Sequence, residues 1–182
     1  MKSSKKKNQR RLLGAAQISQ VFERIARDMA KRYGHFDQVV FIGIRTRGPY
    51  IARRMARVIK KRYRQDVPVG EMDITLYRDD LNALLPGGTI DHTDIPFDIA
   101  NKLVVLFDDV LYTGRTVRAA VDHLIDLGRP RMIHLAVMID RGGRELPIAA
   151  NYAGKFVSLT ADKRVEVKLR ELDRIDEVLV VS

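Results

Sequence analysis

The chain has 182 residues, 46% of them hydrophobic, which is enough for one domain with a sizeable core. It has no cysteine, which excludes disulfides and thiolate catalysis, and its four scattered histidines lack the spacing of a zinc site. No apolar run approaches the ~20 residues of a membrane span, and no hydrophobic segment follows the N-terminal charges as in a secretory signal, so a cytoplasmic protein without membrane association is expected.

The formal charge of +10 is concentrated at the start of the chain. Six of the 33 basic residues (Lys2, Lys5, Lys6, Lys7, Arg10, Arg11) lie in the first eleven positions, and the remainder holds 27 basic against 23 acidic residues. Residues 1–14 therefore read as a basic, disordered tail that is solvated or contacts nucleic acid. Ile18, Val21, Phe22, Ile25 and Met29 recur at helical spacing, which predicts an amphipathic helix over 17–33 with Gly34 as its C-cap. The apolar run 38–44 predicts a buried strand. Arg45-Thr46-Arg47-Gly48 follows as a polar loop, and Pro49 opens a helix over 49–63. A strand is predicted over 67–75. Residues 78–98 mix Asp, Asn, Gly and Pro and read as a flexible hairpin or loop. The apolar run 103–107 predicts a strand that stops at Asp108 and Asp109. A helix then runs to about Leu127, closed by Gly128, and a strand covers 132–139. Shorter strand patterns lie near 155–159, 164–169 and 178–181, and no internal repeat is visible.

Strands alternating with helices predict an α/β fold with a mostly parallel sheet covered on both faces. Ligands in such sheets bind beyond the carboxyl ends of the strands. Three loops fall at such ends: 45–48, 108–116 and 140–144.

The 108–116 loop carries the most chemistry. A strand that ends at paired acids and turns into a helix through Thr113-Gly114-Arg115-Thr116 offers backbone N–H groups and a positive dipole end to a phosphate. The acids can accept hydrogen bonds from sugar hydroxyls. A Walker loop is excluded because no Gly-Lys-Ser/Thr follows, and a dinucleotide fingerprint because the three-glycine spacing is missing. A receiver-type acid cluster stays open but leaves the Thr-Gly-Arg-Thr segment unexplained. A solvated strand end is the bland alternative. In the 45–48 loop, two arginines and a glycine can grip a polyphosphate, or simply enter a basic helix. Asp73-Ile74-Thr75-Leu76-Tyr77-Arg78-Asp79-Asp80 is either a strand running into a solvated turn or the root of a lid that excludes water from a reactive substrate.

Residues 108–116 resemble the phosphoribosyl pyrophosphate (PRPP) motif of type I phosphoribosyltransferases. That resemblance implies Asp108 and Asp109 on the ribose hydroxyls, and Val110, Leu111, Tyr112, Thr113, Gly114, Arg115 and Thr116 around the 5-phosphate. It implies a pyrophosphate loop at Arg45, Thr46, Arg47 and Gly48, with a non-proline cis peptide. Together with the Asp73–Asp80 string and Asp140-Arg141-Gly142-Gly143-Arg144-Glu145-Leu146-Pro147, the chain is similar from about residue 15 to 160 to one family. That family is the bifunctional pyrimidine operon regulators and uracil phosphoribosyltransferases, the PyrR family. The fold implied is the type I phosphoribosyltransferase fold as a single domain over 15–182. It has a lid over about 76–98 and a small hood from about 150–182 plus the N-terminal segment.

The activity implied is conversion of uracil and PRPP to UMP and pyrophosphate. Asp108, Asp109, Arg47 and Arg78 would carry the catalysis. Val137, Asp140, Arg141, Leu159 and Thr160 would surround the base, although the family usually has Thr-Ser where this chain has Leu159-Thr160. Mg2+ would arrive through PRPP and water near Asp108 and Asp109, with no direct protein ligand. Implied partners are UMP or UTP, copies of the chain in a dimer or tetramer, and a leader mRNA bound during transcription attenuation. RNA would meet Arg24, Arg27, Arg141, Arg144 and Lys155. Glu23, Arg27 and Gly143 depart from the Thr, His and His common in RNA-binding members. A phosphoribosyltransferase without RNA regulation, or one using another base, is the alternative.

Overall fold

The computed structural model describes residues 9–77 and 92–182. Its central sheet has five parallel strands in the order β3-β2-β4-β5-β6: β2 (Val39–Ile44), β3 (Val69–Met72), β4 (Leu103–Leu111), β5 (Met132–Asp140) and β6 (Tyr152–Phe156). Helices α1 (Ala15–Tyr33) and α2 (Gly48–Tyr63) cover one face, and α3 (Arg115–Leu127) covers the other. Among the described residues no helix is long and apolar enough to cross a membrane.

Strand alternation divides the core in two. Val39, Phe41, Val105, Phe107, Ala136 and Met138 point to α1 and α2, where the Phe41 and Phe107 rings meet edge-on at 4.9 Å. Val40, Ile42, Val104, Leu106, Leu135 and Val137 point to α3, against Val117, Ala120 and Leu124. Both faces are apolar because a parallel sheet is buried on both, so the central strands read as continuous hydrophobic runs. On α1, Ile18, Val21, Phe22, Ile25, Ala26 and Met29 are buried, and each large side chain contributes about 1.5–3 kcal/mol.

Several elements differ from expectation: β6 covers Tyr152–Phe156 rather than 155–159, and β3 ends at Met72 rather than running to 75. Residues 9–14, placed in the tail, form β1 (Gln9–Gly14), which pairs antiparallel with β8 (Glu177–Val181). Leu13 is buried there and Leu12 packs against the core, so the basic residues Arg10 and Arg11 sit on a strand anchored by its apolar end. Strand β4 does not stop at its acids but continues to Leu111, because Val110 and Leu111 keep the ladder with Ile139 and Asp140 of β5. Leu111 is fully buried on the α3 side and closes that half of the core.

Strand β7 (Arg164–Lys168) joins β8 and β1 in a separate three-stranded antiparallel sheet, and the short helix α4 (Arg170–Asp173) links β7 to β8. This small unit lies over α2. Arg54 donates to Glu171 through Nε at 2.9 Å and also pairs with it through Nη2, which lies 2.7 Å from Asp176 Oδ1. The hydrogen bond from Arg54 holds the Glu171 carboxyl below its ordinary range against the opposing effect of burial.

Candidate functional site

The three loops predicted at the carboxyl edge of the sheet all lie there, after β2, β4 and β5. The first is held by backbone contact. A Cβ on Gly48 would lie 2.3 Å from the Phe107 carbonyl oxygen, and one on Gly43 would lie 2.1 Å from the Pro49 nitrogen. Only glycine lets α2 start this close to the sheet, directly beside Asp108. The Arg45–Thr46 peptide is cis. Arg45 N–H donates to the Met72 carbonyl at 2.9 Å, which ties the loop to the end of β3.

Arg47 leaves the loop. Its Nη2 donates to both oxygens of Asp173 at 3.1 and 3.3 Å, and its Nε is buried with no hydrogen-bond partner among the described residues. Asp173 was not among the sequence candidates; the pair spans 126 residues, and no local pattern announces it.

In the second loop each acid is oriented by the next peptide. Asp108 Oδ1 accepts the Asp109 N–H, and Asp109 Oδ1 accepts the Val110 N–H, both at 2.9 Å. Asp108 is buried and Asp109 is half-buried. The chain then turns through Gly114, in the left-handed region at φ 95°, into α3. The Thr113 carbonyl accepts the Glu145 and Leu146 N–H groups at 2.9 and 3.2 Å, so the second and third loops form one unit. Arg115 Nε meets Glu145 at 2.7 Å, which turns that side chain along the surface.

The third loop turns both of its arginines toward the protein. Arg141 is 5% exposed, with its guanidinium 3.8 Å from the centre of the Tyr112 ring and Nη2 donating to the Thr160 carbonyl at 3.3 Å. It joins the 108–116 loop to the 159–160 segment. Buried in this way, it is not a surface contact for RNA. Gly143, at φ 72°, makes room for this stack, because a Cβ there would lie 2.5 Å from Tyr112 Cε2. Arg144 is also turned inward. Its Nε donates to the Ile148 carbonyl at 2.8 Å, its Nη1 to the Tyr112 carbonyl at 2.8 Å, and its Nη2 pairs with Asp140. Arg144 is therefore a staple of the loop and not a free cation for RNA. Asp140 is spent on the same purpose, accepting the Gly142 N–H at 3.0 Å. Val137 lies in the sheet interior between Asp108 and Ala153, its side chain in the α3-side core.

The root of the expected lid is well defined. Asp73 Oδ1 accepts the Thr75 N–H at 3.0 Å and the Thr75 hydroxyl at 2.6 Å. Burial raises the Asp73 pKa, but the Thr75 hydrogen bonds and nearby Arg45 outweigh it and hold the carboxyl below its ordinary value. Tyr77 stacks on His123 at 4.3 Å, and its hydroxyl donates to Asp126 at 2.9 Å. On the far side, the His92 carbonyl accepts from Arg45 at 3.3 Å. Arg78 and most of the expected lid lie outside the described residues.

The remaining basic candidates lie on α1 and β6. Arg24 Nη2 donates to the Ala153 and Gly154 carbonyls at 2.9 and 2.8 Å, pinning α1 to β6. Arg27 and Lys155 are exposed. Glu23 is answered by Arg62 at 2.8 Å, so its charge is neutralised within the protein. Ser19, Glu23, Arg24, Arg27, Arg62 and Tyr63 border a groove of about 400 Å³.

A glycine turn into α3, paired acids and a glycine-tight loop thus meet at one sheet edge. Residues 14–166 match the phosphoribosyl transferase domain model. Solved structures give the same fold. Hypoxanthine phosphoribosyltransferase from Staphylococcus aureus superposes with a TM-score of 0.69 at 22% identity, covering 95% of this chain and 92% of that one. The Trypanosoma cruzi enzyme gives 0.71 at 16% identity, with 94% and 95% covered.

Much nearer relatives come from sequence. The chain is 50% identical over 174 residues to the bifunctional protein PyrR of Chloroflexus aurantiacus, covering 96% of each. It is 46% identical over 174 residues to that of Listeria welshimeri, covering 94% of this chain and 95% of that one. The chain belongs to the phosphoribosyltransferase family and, within it, to the bifunctional PyrR proteins.

Proposed function

We propose that this protein converts uracil and PRPP to UMP and pyrophosphate. The observation that carries the reading is the close approach of Gly48 to the Phe107 carbonyl, which sets the 45–48 loop directly against the Asp108–Asp109 pair. Asp108 and Asp109 hold the ribose hydroxyls, and residues 110–116 wrap the 5-phosphate at the start of α3. Thr46, Arg47 and Gly48 receive the pyrophosphate end, with Arg45 at the lid root. Arg78 would close over the leaving group. Arg141, steadied by Tyr112 and the Thr160 carbonyl, orients the base, with Leu159 beside it. The chemistry needs no protein nucleophile. It needs two substrates held in reaction geometry and a departing polyanion stabilised.

Paired carboxylates oriented by backbone N–H groups are hard oxygen acceptors that suit the water shell of Mg2+. Bound with PRPP, that ion would neutralise charge on the leaving pyrophosphate. The expected setting is a homo-oligomer in the cytoplasm. Turnover measured on uracil, orotate and hypoxanthine with PRPP and Mg2+ tests the reading. Uracil is expected to give the highest kcat/KM, and a preference for another base would reject the base assignment.

The second role is regulation through a leader RNA of pyrimidine genes, in response to uridine nucleotides. It is supported by the PyrR relationship and by the basic groove at Arg24, Arg27 and Arg62, where the Arg62–Glu23 pair removes a carboxylate that would otherwise repel phosphate. Binding of a cognate leader RNA with UMP present is expected to be sequence-selective and to fall linearly with salt on a double-logarithmic plot. Binding without sequence preference would leave a catalysis-only enzyme.

A further inference from the structure

Resting on that reading of residues 45–48 as the pyrophosphate loop, we infer that Arg47 and Asp173 act as one positioning unit, a strap that fixes the loop through the hood. Arg47 stands immediately before Gly48, at the N-cap of α2, where a side chain aimed into the site would be expected. Its guanidinium instead reaches α4 and shares Nη2 between both carboxylate oxygens of Asp173. Asp173 is itself held, because its Oδ2 accepts the Leu169 N–H at 2.9 Å at the start of α4. The carboxylate thus has a fixed direction before it meets the arginine.

The strap has a second attachment. Arg54 lies seven residues after Arg47, so the two arginines share one face of α2, and Arg54 is paired with Glu171 and Asp176 of the same hood segment. Three carboxylates from a six-residue stretch therefore hold Arg47 and Arg54. The attachments differ in what they control. Arg54 holds the helix body, whereas Arg47 holds the loop itself, one residue from the Gly48 contact with Phe107. Asp173 also offsets the Arg47 charge. The pair then contributes placement of the Thr46–Gly48 main chain more than a free cation.

A positioning unit predicts non-additivity. Arg47→Met and Asp173→Asn are each expected to raise the KM for PRPP about tenfold and weaken pyrophosphate binding in calorimetry by a similar factor. The double variant is expected to be no worse than either single one. The KM for uracil is expected to stay unchanged, and Asp173→Glu to recover part of the loss. Glu171→Gln serves as the structural comparator, lowering the melting temperature without moving the KM for PRPP. Additive losses in the double variant would overturn the inference, as would a tighter PRPP interaction in Asp173→Asn. Losses in uracil KM that track melting temperature would reduce the pair to a structural one. The wild-type protein is assayed first. Absence of UMP formation there rejects the enzymatic reading, while pyrophosphate affinity across the same variants still judges the pair.

Discussion

Asp109→Asn is expected to lower kcat/KM for UMP formation by about 10²–10³-fold, the usual cost of losing one preorganised electrostatic partner. The amide has the shape of the carboxylate, and its oxygen can still accept the Val110 N–H that Asp109 Oδ1 now accepts at 2.9 Å. The loop therefore keeps its conformation, and the change isolates charge. What disappears is a charge-assisted acceptor for a ribose hydroxyl, roughly twice as strong as a neutral one. Following UMP by chromatography at saturating Mg2+ measures the effect, with circular dichroism and the melting temperature confirming the fold. Turnover near the wild-type level would remove Asp109 from the ribose site. Asp109 is a cleaner target than Asp108, which is buried between β2 and β5 and packs beside the core.

The elements that could be read in the sequence are those whose signal is local and periodic. Helix α1 announces itself through Ile18, Val21, Phe22, Ile25 and Met29, and all five are buried. The apolar runs of β2, β4 and β5 show a sheet covered on both sides, and they place three loops at one edge. What could not be read depends on partners far along the chain. β1 hides inside a basic N-terminal stretch because its stabilisation comes from β8, some 170 residues later. Arg144 and Arg141 look like surface cations in the string Asp-Arg-Gly-Gly-Arg. Arg141 is buried against the Tyr112 ring and Arg144 is turned onto carbonyls of the neighbouring loops, and a sequence motif does not encode which way a guanidinium turns. Asp173 was missed for the same reason. Glu145 does carry a local signal, its place in the Arg144-Glu145-Leu146-Pro147 string beside the 140–144 loop, where it pairs with Arg115.

Gly48→Ala tests how far the site depends on backbone proximity alone. The added methyl would sit 2.3 Å from the Phe107 carbonyl oxygen and 3.0 Å from the Gly43 carbonyl carbon. Both are main-chain atoms of central strands, so no rotamer change relieves the contact. The start of α2 must move away from β4, and it carries the 45–48 loop with it. Overpacking of this kind costs about 1–3 kcal/mol, which a core with two buried layers can absorb, so the protein is expected to fold. Catalysis is far less tolerant, because a displacement on the order of 1 Å between reacting groups can cost about 10²-fold. The expected result is a folded protein whose kcat/KM for PRPP falls at least about 10²-fold, well beyond any change in the folded fraction. Calorimetry with pyrophosphate locates the loss: weakened binding places it in the loop. If the variant keeps wild-type kcat/KM, the contact between Gly48 and Phe107 is not what brings pyrophosphate to the acids, and the assignment of the loop falls with it.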